Sequence, residues 1–142
     1  MIPYSPLLTD DDDTAEQPRP RRPWSAKFRD SFRGIKLGIR GHSSFSVHFF
    51  FAALVLAAAL VLRCGILEWC ILLLCIGLVL TAELFNSAIE TLFRGLDEAT
   101  RDRSWKSLDI AAGAVLFASL VAAAVGIAIF SYRLAALLGF LE

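Results

Sequence analysis

The sequence predicts an all-α integral membrane protein in which an amphipathic surface helix precedes three transmembrane helices. Three observations predict this fold class. The chain has 142 residues and is 56% hydrophobic, whereas soluble domains are about 45–50% apolar. The apolar residues form three long runs, and the first, from Phe45 to Leu62, contains no Lys, Arg, Asp or Glu. No alternating β-barrel pattern competes with helices. The length allows one domain and excludes a large two-lobed soluble enzyme.

The first 23 residues predict a disordered tail. They contain four consecutive aspartates, Asp10 to Asp13, followed by prolines interleaved with arginines. Such a segment has little apolar surface whose burial could offset the entropy lost on ordering. We therefore expect residues 1–23 to be a tail and residues 24–142 to form the membrane domain. We expect no nucleic-acid partner, although the formal net charge of zero by itself argues neither for nor against one.

Residues 24–40 predict the amphipathic surface helix. Apolar side chains recur at helical spacing, and basic residues occupy much of the remaining surface. A basic amphipathic helix next to a transmembrane span is typical of a position among the lipid headgroups. The alternative is a helix that packs against the rest of the protein. The apolar positions are Trp24, Phe28, Phe32, Ile35 and Ile39.

The three spans are predicted at about residues 44–62, 67–93 and 110–130. The first has about 19 residues, enough to cross a hydrocarbon core of about 30 Å at about 1.5 Å per residue. The short connection around residues 63–65 predicts an antiparallel hairpin. Basic residues concentrate before the first span and between the second and third, which predicts a cytoplasmic N-terminus and a cytoplasmic second connection.

Three polar residues in the second span predict the functional site. Glu83, Asn86 and Glu90 lie within about 60° of one another on a helix that turns by about 100° per residue. Ionisable groups at membrane depth are costly and normally face a cavity, a partner or a transport pathway. Glu90 lies about 6 Å along the helix from Arg94, and Glu83 about 16 Å.

This difference in depth suggests different roles for the two carboxylates. The shallow Glu90 suits a metal-bound phosphate, and the deeper Glu83 suits a lipid hydroxyl from which it could take a proton as a general base. Asn86 could orient either substrate. The alternative is a polar clasp that holds an oligomer together.

Further polar residues are predicted at the same membrane face. His42, Ser43, Ser44 and His48 lie at the start of the first span, and Lys106 and Asp109 precede the third. Carboxylates together with nucleotide phosphates are suitable ligands for Mg²⁺. The phosphate-loop pattern GxxxxGK[ST] is absent from the sequence, so side chains and a metal ion would have to hold a nucleotide.

The stretch ELFNSAIE, from Glu83 to Glu90, resembles the signature of the prokaryotic diacylglycerol kinase family, which includes the undecaprenol kinases. The resemblance continues in residues 31–34, in Phe45 and His48, and in residues 108–115, and it covers about residues 24–132. It implies a homotrimeric lipid kinase of the bacterial cytoplasmic membrane with active sites shared between neighbouring subunits. Such a kinase transfers phosphate from ATP to diacylglycerol or undecaprenol.

The resemblance also implies roles for individual residues. Glu83 would be the catalytic base, supported by Asn86, and Glu90 would bind both ATP and Mg²⁺. His42 stands at the second metal-binding position. Asp109 would belong to the ATP site, and we expect Arg33 and Lys106 as further ATP-binding residues.

Three positions depart from the family pattern. His42 replaces the usual glutamate, Leu108 the usual lysine, and Arg94 a common aspartate. Lys106 or Arg94 could supply the missing cation, and Asp97 the missing acid. Two alternatives follow: an active kinase with a rearranged nucleotide site, or a catalytically silent trimeric membrane protein of the same fold that binds a partner or a nucleotide.

Overall fold

The structure, a computed structural model, describes residues 23–40 and 44–140, and these residues form five α-helices without a strand. Three of them, α2, α3 and α5, are long and apolar enough to cross a membrane. The predicted fold class of an amphipathic helix followed by three such helices is therefore confirmed. The helices are α1 (Trp24–Arg40), α2 (Ser44–Val61), α3 (Ile66–Arg94), α4 (Glu98–Ser104) and α5 (Lys106–Leu137). Apart from Pro23, the predicted tail lies outside the described residues.

The helices agree with the hydropathy pattern most closely in α2 and α3. The last helix runs from Lys106 to Leu137 and so extends beyond residues 110–130 at both ends. Charged residues at its ends, such as Asp109 and Arg133, lower the local hydropathy but are compatible with helix. Helix α5 is therefore longer than the predicted span, and the bounds of the span within it stay a prediction.

The short helix α4 was not predicted from the sequence. It begins after Asp97, whose carboxylate accepts hydrogen bonds from the Thr100 hydroxyl at 2.7 Å and from the Thr100 backbone N–H at 3.1 Å. This is an N-cap, which satisfies a backbone donor at the helix start. Because both bonds stabilise the ionised carboxylate, the Thr100 side chain first and its backbone second, they hold the pKa of Asp97 below its ordinary value.

Helix α5 packs principally against α3, and α2 and α1 contact α3 less extensively. A tight turn joins α2 to α3, and its residue Arg63 has a φ of 52°, in the left-handed region. The side chains buried between the helices are mostly small, including Ala59, Ala111 and Ala118. Small residues let helix backbones approach closely in membrane proteins.

An ion pair joins the beginning of α3 to the end of α5. The Nε of Arg133 donates to both carboxylate oxygens of Glu68 at 2.8 Å, and the backbone N–H of Gly65 donates to Glu68 Oε2 at 2.6 Å. The pair shows that α3 and α5 run antiparallel. It also neutralises two charges within apolar helices, where an unpaired charge would be costly.

Most large apolar side chains on the outside of the helices are exposed. On α1, Trp24 is 74% and Phe32 72% exposed, so this chain does not bury the predicted apolar stripe. Helix α1 approaches α3 at Gly38, where an added Cβ would lie 2.8 Å from Leu84 Cδ2. Apolar surface of this extent suits contact with lipid or with further copies of the chain.

Candidate active site

Glu83, Asn86 and Glu90 lie on the inward face of α3. Glu83 is 2% and Asn86 9% exposed, whereas the Glu90 side chain keeps 33% of its surface accessible. Phe85, on another face of the helix, is 67% exposed. The carboxylate nearer the middle of the apolar helix is therefore enclosed by protein, and the one near the helix end is accessible.

The enclosed Glu83 carboxylate is contacted from α2. The Ser44 hydroxyl donates a hydrogen bond to Oε1, and His48 Nε2 lies 3.7 Å from Oε2. A buried carboxylate is costly unless polar groups surround it. Ser44 and His48 are four residues apart, so they lie on the same face of α2 and can contact one side chain.

Glu90 makes a separate set of side-chain contacts within α3. Asn86 Nδ2 donates to Glu90 Oε1 at 2.9 Å, and Arg94 Nη2 lies 3.2 Å from Glu90 Oε2. These three residues are spaced by four, so each lies one turn from the next. Beside them Ser87 is buried, and its hydroxyl has no hydrogen-bond partner among the described residues.

The other predicted site residues lie outside these contacts. Arg33 pairs with Asp30 of its own helix at 3.3 Å, and Lys106 Nζ lies 5.9 Å from the centre of the Trp105 ring. Asp109 is exposed in the first turn of α5. Their assignment to the ATP site stays a prediction.

The predicted metal site combines Glu90 with His42, and His42 lies outside the described residues. Within residues 23–40 and 44–140, no cluster of three or more His, Cys, Asp or Glu side chains could hold a metal ion. The accessible Glu90 carboxylate nevertheless fits Mg²⁺, which is usually bound through one or two carboxylates together with substrate phosphates. The residue predicted as the replacement acid, Asp97, instead caps α4.

Two cavities border the polar residues. The first, of about 530 Å³, lies between α2, α3 and α5; its walls are apolar except for His48 and Ser119. The second, of about 550 Å³, lies between α3 and α5, and Thr81, Asn86 and Ser107 line it among apolar side chains. Both faces of the polar region therefore border space of ligand size.

Comparison with known proteins decides the family. Residues 29–130 match the family model described as prokaryotic diacylglycerol kinase. The chain belongs to this family. It is also 31% identical over 102 residues to the undecaprenol kinase of Bacillus subtilis (strain 168), across 72% of this chain and 83% of that protein. No solved structure matches the chain at a significant level.

Family membership makes the chain a lipid kinase, as the stretch ELFNSAIE predicted. A kinase of this family takes a lipid and a nucleotide as substrates in a membrane context. Phosphoryl transfer depends mainly on positioning and on neutralisation of charge, with little covalent chemistry for the protein. The enclosed carboxylate of Glu83 could position a substrate hydroxyl. The accessible carboxylate of Glu90, on the same helix face, could hold a cation that neutralises phosphate charge.

The contacts of Ser44 and His48 with Glu83 were not predicted. The sequence did place both residues at the start of the first span, on the same membrane face as the acidic residues. It did not indicate which of the neighbouring polar side chains, from His42 to His48, would turn toward α3.

Proposed function

We propose that this lipid kinase transfers the γ-phosphate of ATP to the hydroxyl of undecaprenol, with diacylglycerol as the second candidate acceptor. One observation carries the proposal: Glu83 is an enclosed carboxylate with polar contacts, and an accessible carboxylate follows two turns along the same helix. The similarity to an undecaprenol kinase favours the polyprenol. The family model, named for diacylglycerol kinase, supports the second candidate.

In this proposal Glu83 accepts the proton of the lipid hydroxyl. Its burial keeps bulk water away, and the Ser44 hydroxyl holds one carboxylate oxygen in a fixed direction. A positioned general base of this kind typically accelerates a reaction by about 10² to 10⁴-fold. Asn86 supports the site through its hydrogen bond to Glu90.

Glu90 binds the nucleotide end of the site. It lies seven residues after Glu83 and therefore about 10 Å further along the helix axis. This separation suits a lipid hydroxyl that approaches from the apolar region and phosphates that approach from water. Mg²⁺ bound at Glu90 would neutralise charge on the transferred phosphate. Arg33, Lys106 and Asp109 would complete the ATP site, and His42 the metal site.

The proposed assembly is a homotrimer in the bacterial cytoplasmic membrane with a cytoplasmic N-terminus. The basic residues before α2 and between α3 and α5 support this orientation. Exposed apolar side chains along the helices and the cavity beside Asn86 support contact with a second copy that shares the active site. In this arrangement residues 1–23 precede a membrane kinase domain of residues 24–142.

An acceptor panel tests the proposal. Purified protein in mixed micelles with Mg²⁺ and radiolabelled ATP should phosphorylate undecaprenol, diacylglycerol or both, and no product should form without a lipid acceptor. Glu83→Gln should abolish turnover, whereas the matched change Glu98→Gln, in the exposed helix α4, should retain it. Full activity of the Glu83→Gln protein would exclude Glu83 as the base.

The same panel separates the kinase from the catalytically silent alternative. A wild-type protein that is folded but forms no product with any acceptor would support the silent trimer. Turnover that is lost on Glu90→Ala substitution would exclude it.

A further inference from the structure

His48 lies between the candidate base and an apolar cavity. Its Nε2 is 3.7 Å from Glu83 Oε2, and its side chain, 19% exposed, lines the cavity between α2, α3 and α5. Glu83 itself is 2% exposed and does not line this cavity. On the cavity side, a group moving toward the Glu83 carboxylate therefore meets the imidazole.

The two oxygens of the Glu83 carboxylate have different neighbours. The Ser44 hydroxyl, which donates a hydrogen bond, occupies a position on Oε1. Oε2 faces His48 at a distance longer than a hydrogen bond. An ionised carboxylate oxygen can accept two hydrogen bonds. Oε2 can therefore accept a hydrogen bond on the side where the imidazole lies.

We propose that His48 acts on the reaction through Glu83. Glu83 takes the proton from the acceptor hydroxyl, and His48 then receives that proton through Nε2. This inference rests on the proposed function. A proton left on an enclosed carboxyl group would block the next turnover. A neighbouring imidazole suits the removal of that proton, because histidine changes its charge between about pH 5 and pH 8.

The proton and phosphoryl transfers balance as follows. The lipid oxygen forms a bond to the γ-phosphorus while the bond from that phosphorus to the β-phosphate bridging oxygen breaks, and ADP leaves. The hydroxyl proton moves to Glu83 Oε2. It then passes to the neutral Nε2 of His48 and finally to water, which restores the ionised Glu83 and the neutral imidazole.

Among the described residues, the charged group next to His48 is the Glu83 carboxylate. From α3, the cavity that His48 lines also receives the Cys75 side chain, and from α5 it receives the Ser119 hydroxyl, which has no described hydrogen-bond partner. Ser44 lies one turn earlier on α2 itself. Within the described residues, Glu83 is therefore the ionisable partner with which His48 can exchange a proton.

The pH dependence of kcat tests the inference on the full-length protein in mixed micelles. Wild-type kcat should fall toward acidic pH, because neither a protonated imidazole nor a protonated carboxyl group can accept a proton. His48→Gln should lose the part of this decrease that the imidazole causes and keep the part that protonation of Glu83 causes, lower kcat about 100-fold and leave the KM values for ATP and lipid within about twofold. Ser44→Ala, which removes the other polar contact of Glu83, should retain the decrease.

Chemical rescue distinguishes proton transfer from a packing role. His48→Ala leaves space beside the apolar cavity. Added imidazole should raise the kcat of this variant at least about tenfold. Folding of each variant is checked by size-exclusion chromatography and circular dichroism. A folded His48→Ala protein whose lowered kcat imidazole does not raise would overturn the inference.

The outcomes for the two proposals differ. If the wild type phosphorylates lipid but His48→Gln has an unchanged kcat and pH profile, His48 has no role in proton removal and the kinase proposal stands. If the wild type has no turnover with any acceptor, both proposals fail.

Discussion

The guanidinium of Arg94 lies 3.2 Å from the carboxylate of Glu90, one helical turn further along α3. The candidate metal-binding carboxylate is therefore paired with a cation of its own chain. The two side chains are 62% and 33% exposed, and such surface pairs on a helix contribute only about 0.3–0.5 kcal/mol. A divalent cation can displace so weak a partner.

The first prediction concerns competition between Arg94 and Mg²⁺. Removing the guanidinium by Arg94→Gln should lower the Mg²⁺ concentration that gives half-maximal activity by about twofold, the factor equivalent to the energy of such a pair. Titration of kinase activity with Mg²⁺ at saturating ATP measures this, with Arg103→Gln in α4 as control. An unchanged Mg²⁺ requirement with a raised KM for ATP would instead make Arg94 a ligand of the phosphates.

The second prediction concerns the contact between α1 and α3. A Cβ at Gly38 would lie 2.8 Å from Leu84 Cδ2, whereas a Cβ at Gly34 of the same helix has no neighbour within 4 Å. Both Gly→Ala changes gain about 1 kcal/mol of helix propensity. Gly38→Ala should therefore be less stable than Gly34→Ala, by about 0.5–1.5 kcal/mol, because the Leu84 side chain has to turn away from the added methyl group. Unfolding in detergent measures the difference, and equal stabilities would contradict the contact.

The third prediction concerns the interior. Leu72 is 1% exposed, whereas Leu74 of the same helix is 74% exposed. Leu72→Ala should reduce the free energy of unfolding by about 2–5 kcal/mol, because a buried leucine leaves a cavity. Leu74→Ala should have a much smaller effect in the same unfolding measurement. Comparable losses for the two variants would show that the outward face of α3 is buried in an assembly.

The fourth prediction concerns the cap of α4. Because the pKa of Asp97 is lowered in the folded state, its stabilising effect is present above the ordinary carboxyl pKa of about 4 and is lost as the pH falls through the lowered folded value. Hydrogen-exchange protection of α4 should decrease in that acidic range. Asp97→Ala should lower protection already at pH 7 and remove the pH dependence, whereas Asp102→Ala, inside α4, should retain it.

The family and the three polar residues of α3 could be predicted from the sequence, because charged side chains within an apolar helix are a strong signal. Glu83, Asn86 and Glu90 follow helical spacing in a run that is otherwise almost uncharged, and these residues also carry the resemblance to the family. The position of the surface helix was equally clear, since its apolar and basic residues alternate with the period of a helix.

Other contacts could not be predicted because they depend on how whole helices are rotated and shifted against one another. The approach of Ser44 and His48 to Glu83 requires a particular rotation of α2 about its axis. The pairing of Glu68 with Arg133 joins residues 65 positions apart, and the sequence gives no direct measure of the stagger between α3 and α5. Helix α4 is short, and its start depends on one capping side chain.

The Glu68–Arg133 pair has a mechanical consequence. It fixes the far end of α5 to the beginning of α3, so α5 cannot slide along its neighbour without breaking three charge-assisted hydrogen bonds. A tilt about Arg133 leaves the pair intact. Lys106 lies about 40 Å from that pivot, and a rotation of about 5° would move it by roughly 3 to 4 Å. With that end fixed, any tilt of α5 against α3 would be largest at the end that carries the proposed nucleotide-binding residues.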